Sequence, residues 1–324
     1  MRSEIPARVK SLRAVVVLGS LNTDFVLGVP HLPRPGETVA GGSLATHSGG
    51  KGANQAVAAA KLGAAVAMVG RVGDDSFGSG LRGSLADAGV DVGGVEADPA
   101  AASGAALILV DPQAENAIAI APGANAQVGQ ADVDRALSLL SAGDLLVLQL
   151  EIPLAAVEHA ARQAHERGAR VLLNAAPAAS LSDDLLRTVE VLIVNEDEAG
   201  SISGLAGEQA GRELRRRGAG AVITTRGSQG VVVEDERRIE LRAHKVTAVD
   251  TTAAGDAFVG GLAAALAAGA DLATAARLGS AVAAVAVTRP GAQSSLPDRE
   301  ELLRVTGLDW EAALAQAFTA AHSR

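Results

Sequence analysis

The sequence predicts an α/β fold: a three-layer α/β/α sandwich with a mostly parallel central sheet and a small β-sheet projecting from its edge. Three observations predict it. Short runs of Val, Ile and Leu alternate with Ala-rich helical stretches along nearly the whole chain, which is the pattern of strands buried on both faces. Two segments, Phe25–Thr46 and Ser103–Ile120, break this alternation and hold no helical period. No low-complexity linker or internal repeat divides the 324 residues. Residues 1–324 therefore read as one main domain, with a β lid contributed by about 25–46 and 103–120.

The elements follow in order. Val15–Leu18 reads as the first strand, and Gly19-Ser20-Leu21-Asn22-Thr23-Asp24 as the segment leaving it. Pro30, Pro33 and Pro35 then exclude a helix, and Glu37–Leu44 is strand-like. Gly49-Gly50-Lys51-Gly52 leads into a helix over Ala53–Leu62. Strand Val66–Val69 and helix Ser76–Ala88 come next. A hairpin pairs Ala105–Val110 with Asn116–Ile120 around Asp111-Pro112-Gln113. Helices Ala131–Leu140 and Leu154–Arg167 flank strand Leu145–Leu148, followed by strands Val171–Leu173 and Val191–Val194. Helix Glu208–Arg217 precedes strands Val222–Thr225 and Val231–Glu234, and helices Gly255–Ala268 and Asp271–Val287 complete the pattern.

Composition excludes several classes of function. Net charge is −9, whereas an extended nucleic-acid surface needs clustered Lys and Arg. The one basic cluster, Arg215-Arg216-Arg217, ends a helical pattern and reads as solvated helix favoured by the dipole. There is no cysteine, so no disulfide or thiolate zinc site, and the six histidines show no HxxxH or HExxH spacing. Met1 to Arg13 has no apolar core like that of a signal peptide, and no uncharged run reaches membrane-spanning length. The chain reads as soluble and cytoplasmic. Aromatics make up 2%, so a purine pocket would be walled by aliphatic side chains.

The most informative stretch is Asp250-Thr251-Thr252-Ala253-Ala254-Gly255-Asp256, followed at once by an apolar helical pattern. Small residues let an anion approach backbone N–H groups, and the helix points the positive end of its dipole at the same place. Asp256 adds a carboxylate beside that hole, suited to taking a proton from an alcohol while the hole stabilises a transferring phosphoryl group. Gly49–Asn54 is not a Walker A loop, because Gly52 follows Lys51 where Ser or Thr would bind magnesium. Its consecutive glycines still let a ligand lie against the backbone, and Lys51 and Asn54 offer donors to hydroxyl oxygens. Asn22 and Asp24 follow a strand end, where ligands of open α/β sheets gather. They would hold neighbouring hydroxyls or form an Asx turn. Glu151, Asn195 and Thr225-Arg226-Gly227-Ser228-Gln229-Gly230 also follow predicted strands.

In order along the chain, GSLNTD, PGETV (Pro35–Val39), GGKGANQAVAA, NAAPA (Asn174–Ala178), NEDE, TRGSQG, DTTAAGD and VTRPGAQ closely resemble the ribokinase branch of the PfkB carbohydrate kinase family. The resemblance runs from about Ala14 to Leu296. It implies a ribokinase-like fold whose β lid closes over a sugar and often forms a homodimer contact. It implies that Asn22, Asp24, Gly50, Lys51, Asn54 and Glu151 hold the sugar. Asp256 matches the catalytic base, and Ala253, Ala254 and Gly255 the anion hole. Asn195 and Glu198 fit an NxxE element associated with magnesium and phosphate. Thr225 to Gly230, including Arg226, Gly227 and Ser228, resembles the loop bordering ATP, as does Ser280 by position. Asp250, Thr252, Ala286, Arg289, Gly291 and Ser295 match a potassium loop, chiefly of carbonyl ligands, behind the anion hole. Arg226 stands where an apolar residue is frequent, and Ser280 where the adenine neighbour is often His. His47 and Ser48, just before the sugar loop, stand where a more apolar pair is expected; they touch sugar selectivity, or are turn residues pointing at solvent, the preferred reading.

The resemblance thus implies Mg2+- and K+-dependent transfer of phosphate from ATP to the 5-hydroxyl of D-ribose. Related acceptors, deoxyribose or a nucleoside, are the alternative, and a sugar sensor without catalysis the poorer one, since Asp256 and the anion-hole residues are intact. Residues 1–13 and the tail beyond about Arg304 carry no readable motif.

Overall fold

The computed structural model describes residues 13–113 and 115–322. Residues 1–12, most of the stretch expected to lack a signal-like core, lie outside the described residues. The first half runs β1 (Val15–Leu18), β2 (Asn22–Gly28), β3 (Leu44–Gly49), α1 (Lys51–Lys61), β4 (Val66–Gly73), α2 (Ser76–Asp87), β5 (Asp91–Asp98), β6 (Gly104–Val110), β7 (Asn116–Ala121), α3 (Gln130–Ser138) and β8 (Leu145–Leu148). Then come α4 (Leu154–Glu166), β9 (Arg170–Asn174), α5 (Asp183–Thr188), β10 (Val191–Asn195), α6 (Glu196–Ser203), α7 (Glu208–Arg216), β11 (Ala221–Thr225), β12 (Val231–Glu234) and β13 (Arg238–Leu241). Four helices finish the chain: α8 (Ala254–Ala267), α9 (Leu272–Ala286), α10 (Arg299–Thr306) and α11 (Trp310–His322).

The large sheet has the order β13-β12-β11-β10-β9-β8-β1-β4-β5. Neighbours from β5 to β11 are parallel, and β12 and β13 fold back antiparallel. Alternate residues of each strand face opposite layers. Val15, Val17, Leu145 and Val147 pack with α1, α8 and α9, while Val16, Leu18, Leu146 and Leu148 pack with α3 and α4. Each fully buried Leu contributes on the order of 1.5–3 kcal/mol. Strand order reverses at β1, which lies between β8 and β4. This switch point opens a crevice beyond the carboxyl ends of β1 and β8, just where Gly19 and Glu151 follow. Helix α8 lies close over α1 because a Cβ at Gly260 would come within 2.3 Å of Ala58 Cβ.

The second sheet has the order β3-β2-β6-β7, with β2 and β6 parallel and the outer pairs antiparallel. Its strands come from both helix-poor segments. Two expectations are corrected here. The strand placed at Glu37–Leu44 starts only at Leu44 and runs to Gly49. Local turn bonding holds residues before it: the Glu37 N–H donates to Arg34 O at 2.9 Å, and its carboxylate accepts from the Arg34 N–H at 3.0 Å. Asn22 to Asp24 open β2 instead of forming a turn, because β3 and β6 pair with them on either side.

Strands β5 and β13 were not legible. The first carries Gly93-Gly94, and the second is a four-residue edge strand. The basic cluster is also less solvated than its sequence suggests. Arg217 reaches Asp183 Oδ1 at 2.7 Å, Ile202 O at 3.1 Å and Leu181 O, tying α5 and α6 to the end of α7. Among the described residues no helix is long and apolar enough to cross a membrane.

Candidate active site

The glycine run before α1 lies directly against the chain leaving β1. Gly50 has φ 90°, and a Cβ there would come within 2.7 Å of the Asn22 nitrogen. A Cβ at Gly52 would lie 2.7 Å from the Ser20 nitrogen, and one at Gly49 2.0 Å from Asp24 Oδ2. Only hydrogen fits at Gly50 and Gly52, which meet backbone, while at Gly49 a side chain would displace the Asp24 carboxylate; the Ala53 N–H then donates to Ser20 O at 3.0 Å. This close approach places Asn22, Asp24, Lys51 and Asn54 around one crevice. Glu151 closes it from the end of β8, accepting from Ser20 Oγ at 2.6 Å and the Lys51 N–H at 3.1 Å.

Asp256 enters the same crevice from the first turn of α8. Its carboxylate accepts from Asn54 Nδ2 and from Gln55 Nε2, each at 2.9 Å. Gln55 also donates to Asn174 Oδ1 at 3.0 Å and accepts from Gln149 Nε2 at 2.7 Å. Asn54 Oδ1 remains buried without a partner among the described residues, a costly state for an amide acceptor unless a ligand donates to it. Asn125 donates to Asn22 Oδ1 at 2.8 Å; with that oxygen engaged, the amide NH2 of Asn22 is the group left for another partner.

The charges are unbalanced. Asp24, Glu151 and Asp256 share the crevice with Lys51. Burial pushes the Asp24 carboxyl up to about 7, helped by Glu151 and Asp256 and opposed by Lys51. Burial likewise raises Asp256, against the pull of Lys51, Asn54 and Gln55. For Lys51, burial acts to lower the pKa, but Asp256, Glu151, Glu198 and Asp24 outweigh it and the net shift is upward. The ammonium therefore stays charged and Asp256 has raised basicity, the combination suited to a proton acceptor.

At the start of α8, the Ala254 N–H donates to Thr251 O at 3.1 Å. The following N–H groups, of Gly255 and Asp256, belong to the first turn and have no intrahelical acceptor. A Cβ at Gly255 would meet nothing within 4 Å, so this glycine borders open space. That space joins two cavities. One, of about 450 Å³, is lined by Thr225, Gly227, Ser228, Gly230, Ser280 and mainly apolar groups including Val246, Ala283 and Val287. The other, of about 190 Å³, brings Lys51, Asn195, Glu198, Thr252, Gly255 and Asp256 together. A third, of about 890 Å³, lies between Asp24, Val26, His47 and Ile108 of the small sheet and the 248–252 and 290–292 loops.

Asn195 and Glu198 form a reciprocal cap on α6. Asn195 Oδ1 accepts the Glu198 N–H at 2.7 Å and Glu198 Oε2 accepts the Asn195 N–H at 2.8 Å. Burial raises the Glu198 carboxyl, with the Asn195 N–H and Lys51 opposing. Asp250 fixes the loop behind α8: Oδ1 accepts from the Thr252 N–H at 2.9 Å and Oδ2 from the Gly291 N–H at 2.8 Å. Burial opposes ionisation of Asp250, yet the Thr252 and Gly291 bonds bring it below the usual carboxylate range.

Two expected site residues turn their side chains elsewhere. The Arg226 guanidinium reaches Gln229 Oε1 at 2.7 Å and Glu196 Oε1 at 3.3 Å, and lines neither the 450 nor the 190 Å³ cavity. Arg289 makes paired bonds to Glu301 at 2.6 and 2.9 Å and donates to Ser295 O at 3.0 Å. With its side chain committed to Glu301 and Ser295 O, Arg289 has only its carbonyl to offer another partner, and the Ser295 carbonyl is already taken by that guanidinium. His47 is not a solvent-facing turn residue. It lies in β3 opposite Asp24 and lines the large cavity.

Sequence reasoning missed Ser20, Gln55, Asn125, Gln149 and Asn174 as polar partners of the crevice. Gln55 carried a signal, as a polar break beside Asn54 in an Ala-rich helix. It also missed His244, Lys245 and the one aromatic wall, Phe258, of the 450 Å³ cavity. The remaining apolar wall is formed by Val and Ala side chains, with Thr225, Ser228, Thr251 and Ser280 as further polar groups.

The fold and crevice define a kinase of the ribokinase-like α/β class. An Arabidopsis thaliana ribokinase whose structure holds ribose and ATP superposes with a TM-score of 0.82 at 29% identity, covering 91% of this chain and 99% of that one. The chain belongs to the pfkB family of carbohydrate kinases, whose pattern it matches over residues 12–299. It is 41% identical over 298 residues to a ribokinase of Haemophilus influenzae, covering 90% of this chain and 97% of the relative. A deoxyribokinase of Salmonella typhi is 36% identical over 295 residues, covering 89% and 96%.

Proposed function

We propose that this carbohydrate kinase transfers the γ-phosphoryl group of ATP to the 5-hydroxyl of D-ribose, with Asp256 as general base. The observation that carries this reading is the pairing of Asp256 with Asn54 and Gln55 at the open first turn of α8. The carboxylate is held in one orientation, and Asn54 Oδ1 beside it lacks a donor that a sugar hydroxyl would supply. Asp24 would accept from sugar hydroxyls while Asn22 donates through its free NH2, and Gly50, Lys51 and Glu151 would complete the grip. The sugar's 5-oxygen loses its proton to Asp256 as it bonds to the γ-phosphorus, and ADP leaves. Ala253, Ala254 and Gly255 would cradle the transferring group by their N–H groups, so positioning and electrostatics supply most of the acceleration.

The adenosine part of ATP suits the 450 Å³ cavity, between Ser280 and the Thr225, Gly227, Ser228 and Gly230 loop. Asn195 and Glu198 fit an ion carried in with the phosphates, because the raised Glu198 carboxyl gains from a nearby cation. Magnesium would supply charge neutralisation there. The oxygen-only set of Asp250, Thr252, the Ala286, Arg289 and Gly291 carbonyls and the Ser295 hydroxyl oxygen fits potassium, a hard cation. On the lid, Leu44 and Leu107 are 60% and 58% exposed on the face away from the cavity, which supports a homodimer formed through it. Use of ATP suits a cytoplasmic protein.

The deoxyribokinase relative makes 2-deoxyribose the competing acceptor. Asn22 and Asp24 favour ribose, since a site built to bond a hydroxyl rejects an analogue lacking it by far more than a methylene is worth. A coupled ADP-release assay with ATP, magnesium and potassium tests the proposal. Turnover with ribose supports it, and no turnover with ribose, deoxyribose, fructose or adenosine would favour a sensor instead.

A further inference from the structure

Asn125 takes no part in the reaction outlined above. It lies in a single helical turn after β7 and is buried. Its amide binds both backbone groups of Leu21: Oδ1 accepts the Leu21 N–H at 2.9 Å, and Nδ2 donates to Leu21 O at 3.0 Å. Turned over, it would set NH2 against N–H and oxygen against oxygen, so its orientation is fixed. The other Nδ2 hydrogen goes to Asn22 Oδ1 at 2.8 Å. Asn22 is buried as well, and its own NH2 has no partner among the described residues. A Cβ at Gly104 would lie 2.2 Å from Asn125 Nδ2 and 2.3 Å from Asn22 Oδ1, so β6 packs directly against this joint. Two residues further along β2, Asp24 shares one face of the small sheet with Asn22.

We propose that Asn125 is a specificity-determining positioning residue: by holding Asn22 Oδ1 it makes Asn22 donor-only, so that the site reads one sugar hydroxyl through its oxygen. The inference rests on the sugar lying against Asn22 and Asp24, as proposed above. Asp24, once ionised, only accepts, so it reads the neighbouring hydroxyl through its hydrogen. A free carboxamide could turn to meet either kind of group; one held by Asn125 cannot. Both Nδ2 hydrogens of Asn125 are spent, so it acts on the sugar only through Asn22. The two positions therefore differ in what can replace the hydroxyl. Fluorine accepts a hydrogen bond but cannot donate one, so it is tolerated opposite Asn22 and repelled opposite Asp24. Hydrogen leaves either group without a partner.

The test compares kcat/KM for ribose and for its 2-deoxy, 2-deoxy-2-fluoro, 3-deoxy and 3-deoxy-3-fluoro analogues. At one of the two carbons the wild type should prefer fluorine to hydrogen by about threefold or more, the worth of a neutral hydrogen bond. At the other carbon it should prefer hydrogen to fluorine. Asn125→Asp then removes a single bond. Buried, the new carboxyl stays neutral; its oxygen and its one hydrogen keep the two Leu21 bonds and leave none for Asn22. The fluorine preference should vanish in this variant, while the hydrogen preference at the other carbon stays. A purely structural role would lower all the sugars by one common factor. Asn22→Asp leaves Asn125 in place and supplies a second reading: an oxygen then faces the sugar, and the fluorine preference should reverse. Fluorine no better than hydrogen at both carbons in the wild type overturns the inference. So does an unchanged pattern of ratios in Asn125→Asp or, if that variant does not fold, in Asn22→Asp. Failure of the wild type to phosphorylate ribose would instead count against the substrate reading. The same ratios then decide the inference with the deoxy and fluoro analogues of whichever sugar is turned over.

Discussion

Gln55 Nε2 lies 2.9 Å from Asp256 Oδ1, a bond that joins α1 to the first turn of α8 between residues 201 positions apart. With Asn54 on the other carboxylate oxygen, it leaves Asp256 no freedom to rotate away from the crevice. The first turns of α1 therefore both line the crevice and orient the proposed base.

Asp256→Asn keeps the shape and one of the two accepted hydrogen bonds while removing the proton acceptor. Turnover should fall by at least about 100- to 1,000-fold, as for loss of one preorganised catalytic group. Sugar binding, measured by calorimetry, should largely survive. Near-normal kcat in this variant would sink the assignment of the base.

Gly255→Ala separates folding from function. Its Cβ would enter open space, and Ala in place of a helical Gly adds up to about 1 kcal/mol of stability. The melting temperature should hold or rise while kcat drops, because the methyl group occupies the approach of the phosphoryl group. Loss of stability with unchanged kcat would show that the open space is not used.

Asp24 should make both stability and sugar binding depend on pH. Its carboxyl stands at about 7 in the folded chain against 3.8 unperturbed, through burial first and then Glu151 and Asp256. The folded state keeps a proton that the unfolded chain has released between these values. The stabilising contribution is full below 3.8 and lost as pH rises through about 7. Sugar affinity should move the opposite way, since the ionised group is the better acceptor of hydroxyl protons. Melting curves and sugar KM from pH 5 to 8 check this, and Asp24→Asn should flatten both profiles.

Potassium should activate. An ion bound between Asp250 and the carbonyls of Arg289 and Gly291 would fix the loop that carries the anion hole. Replacing potassium by a bulky organic cation should cost about tenfold or more in kcat, part of what one lost donor costs. Equal rates in both buffers would contradict the site.

The parallel core was legible because fully buried strands such as Val15–Leu18 and Leu145–Leu148 are unbroken apolar runs. The lid was legible only in outline. Its Glu37–Leu44 strand gave way to a local turn at Arg34 and Glu37, and Asn22–Asp24 became strand because partners far along the chain pair with them. The glycine and DTTAAGD motifs announced the crevice, since close backbone approach demands small residues. Asn125, Gln149 and Asn174 carried no such local mark. Gln149 and Asn174 reach the site only through strand order, which brings β1, β8 and β9 side by side, and Asn125 from the segment after β7, which lies against Leu21 and Asn22. His47 was misjudged for the same reason: its orientation is set by register with Asp24, which no neighbouring residue reveals.

The most direct measurement is a competition: equal ribose and 2-deoxyribose incubated with ATP, magnesium, potassium and enzyme, with both sugar phosphates followed over time. The product ratio reads the ratio of kcat/KM values. The proposal predicts ribose 5-phosphate in large excess, because Asn22 and Asp24 lose a hydroxyl partner with deoxyribose. Predominant deoxyribose 5-phosphate would contradict it and would assign the acceptor site to the other sugar.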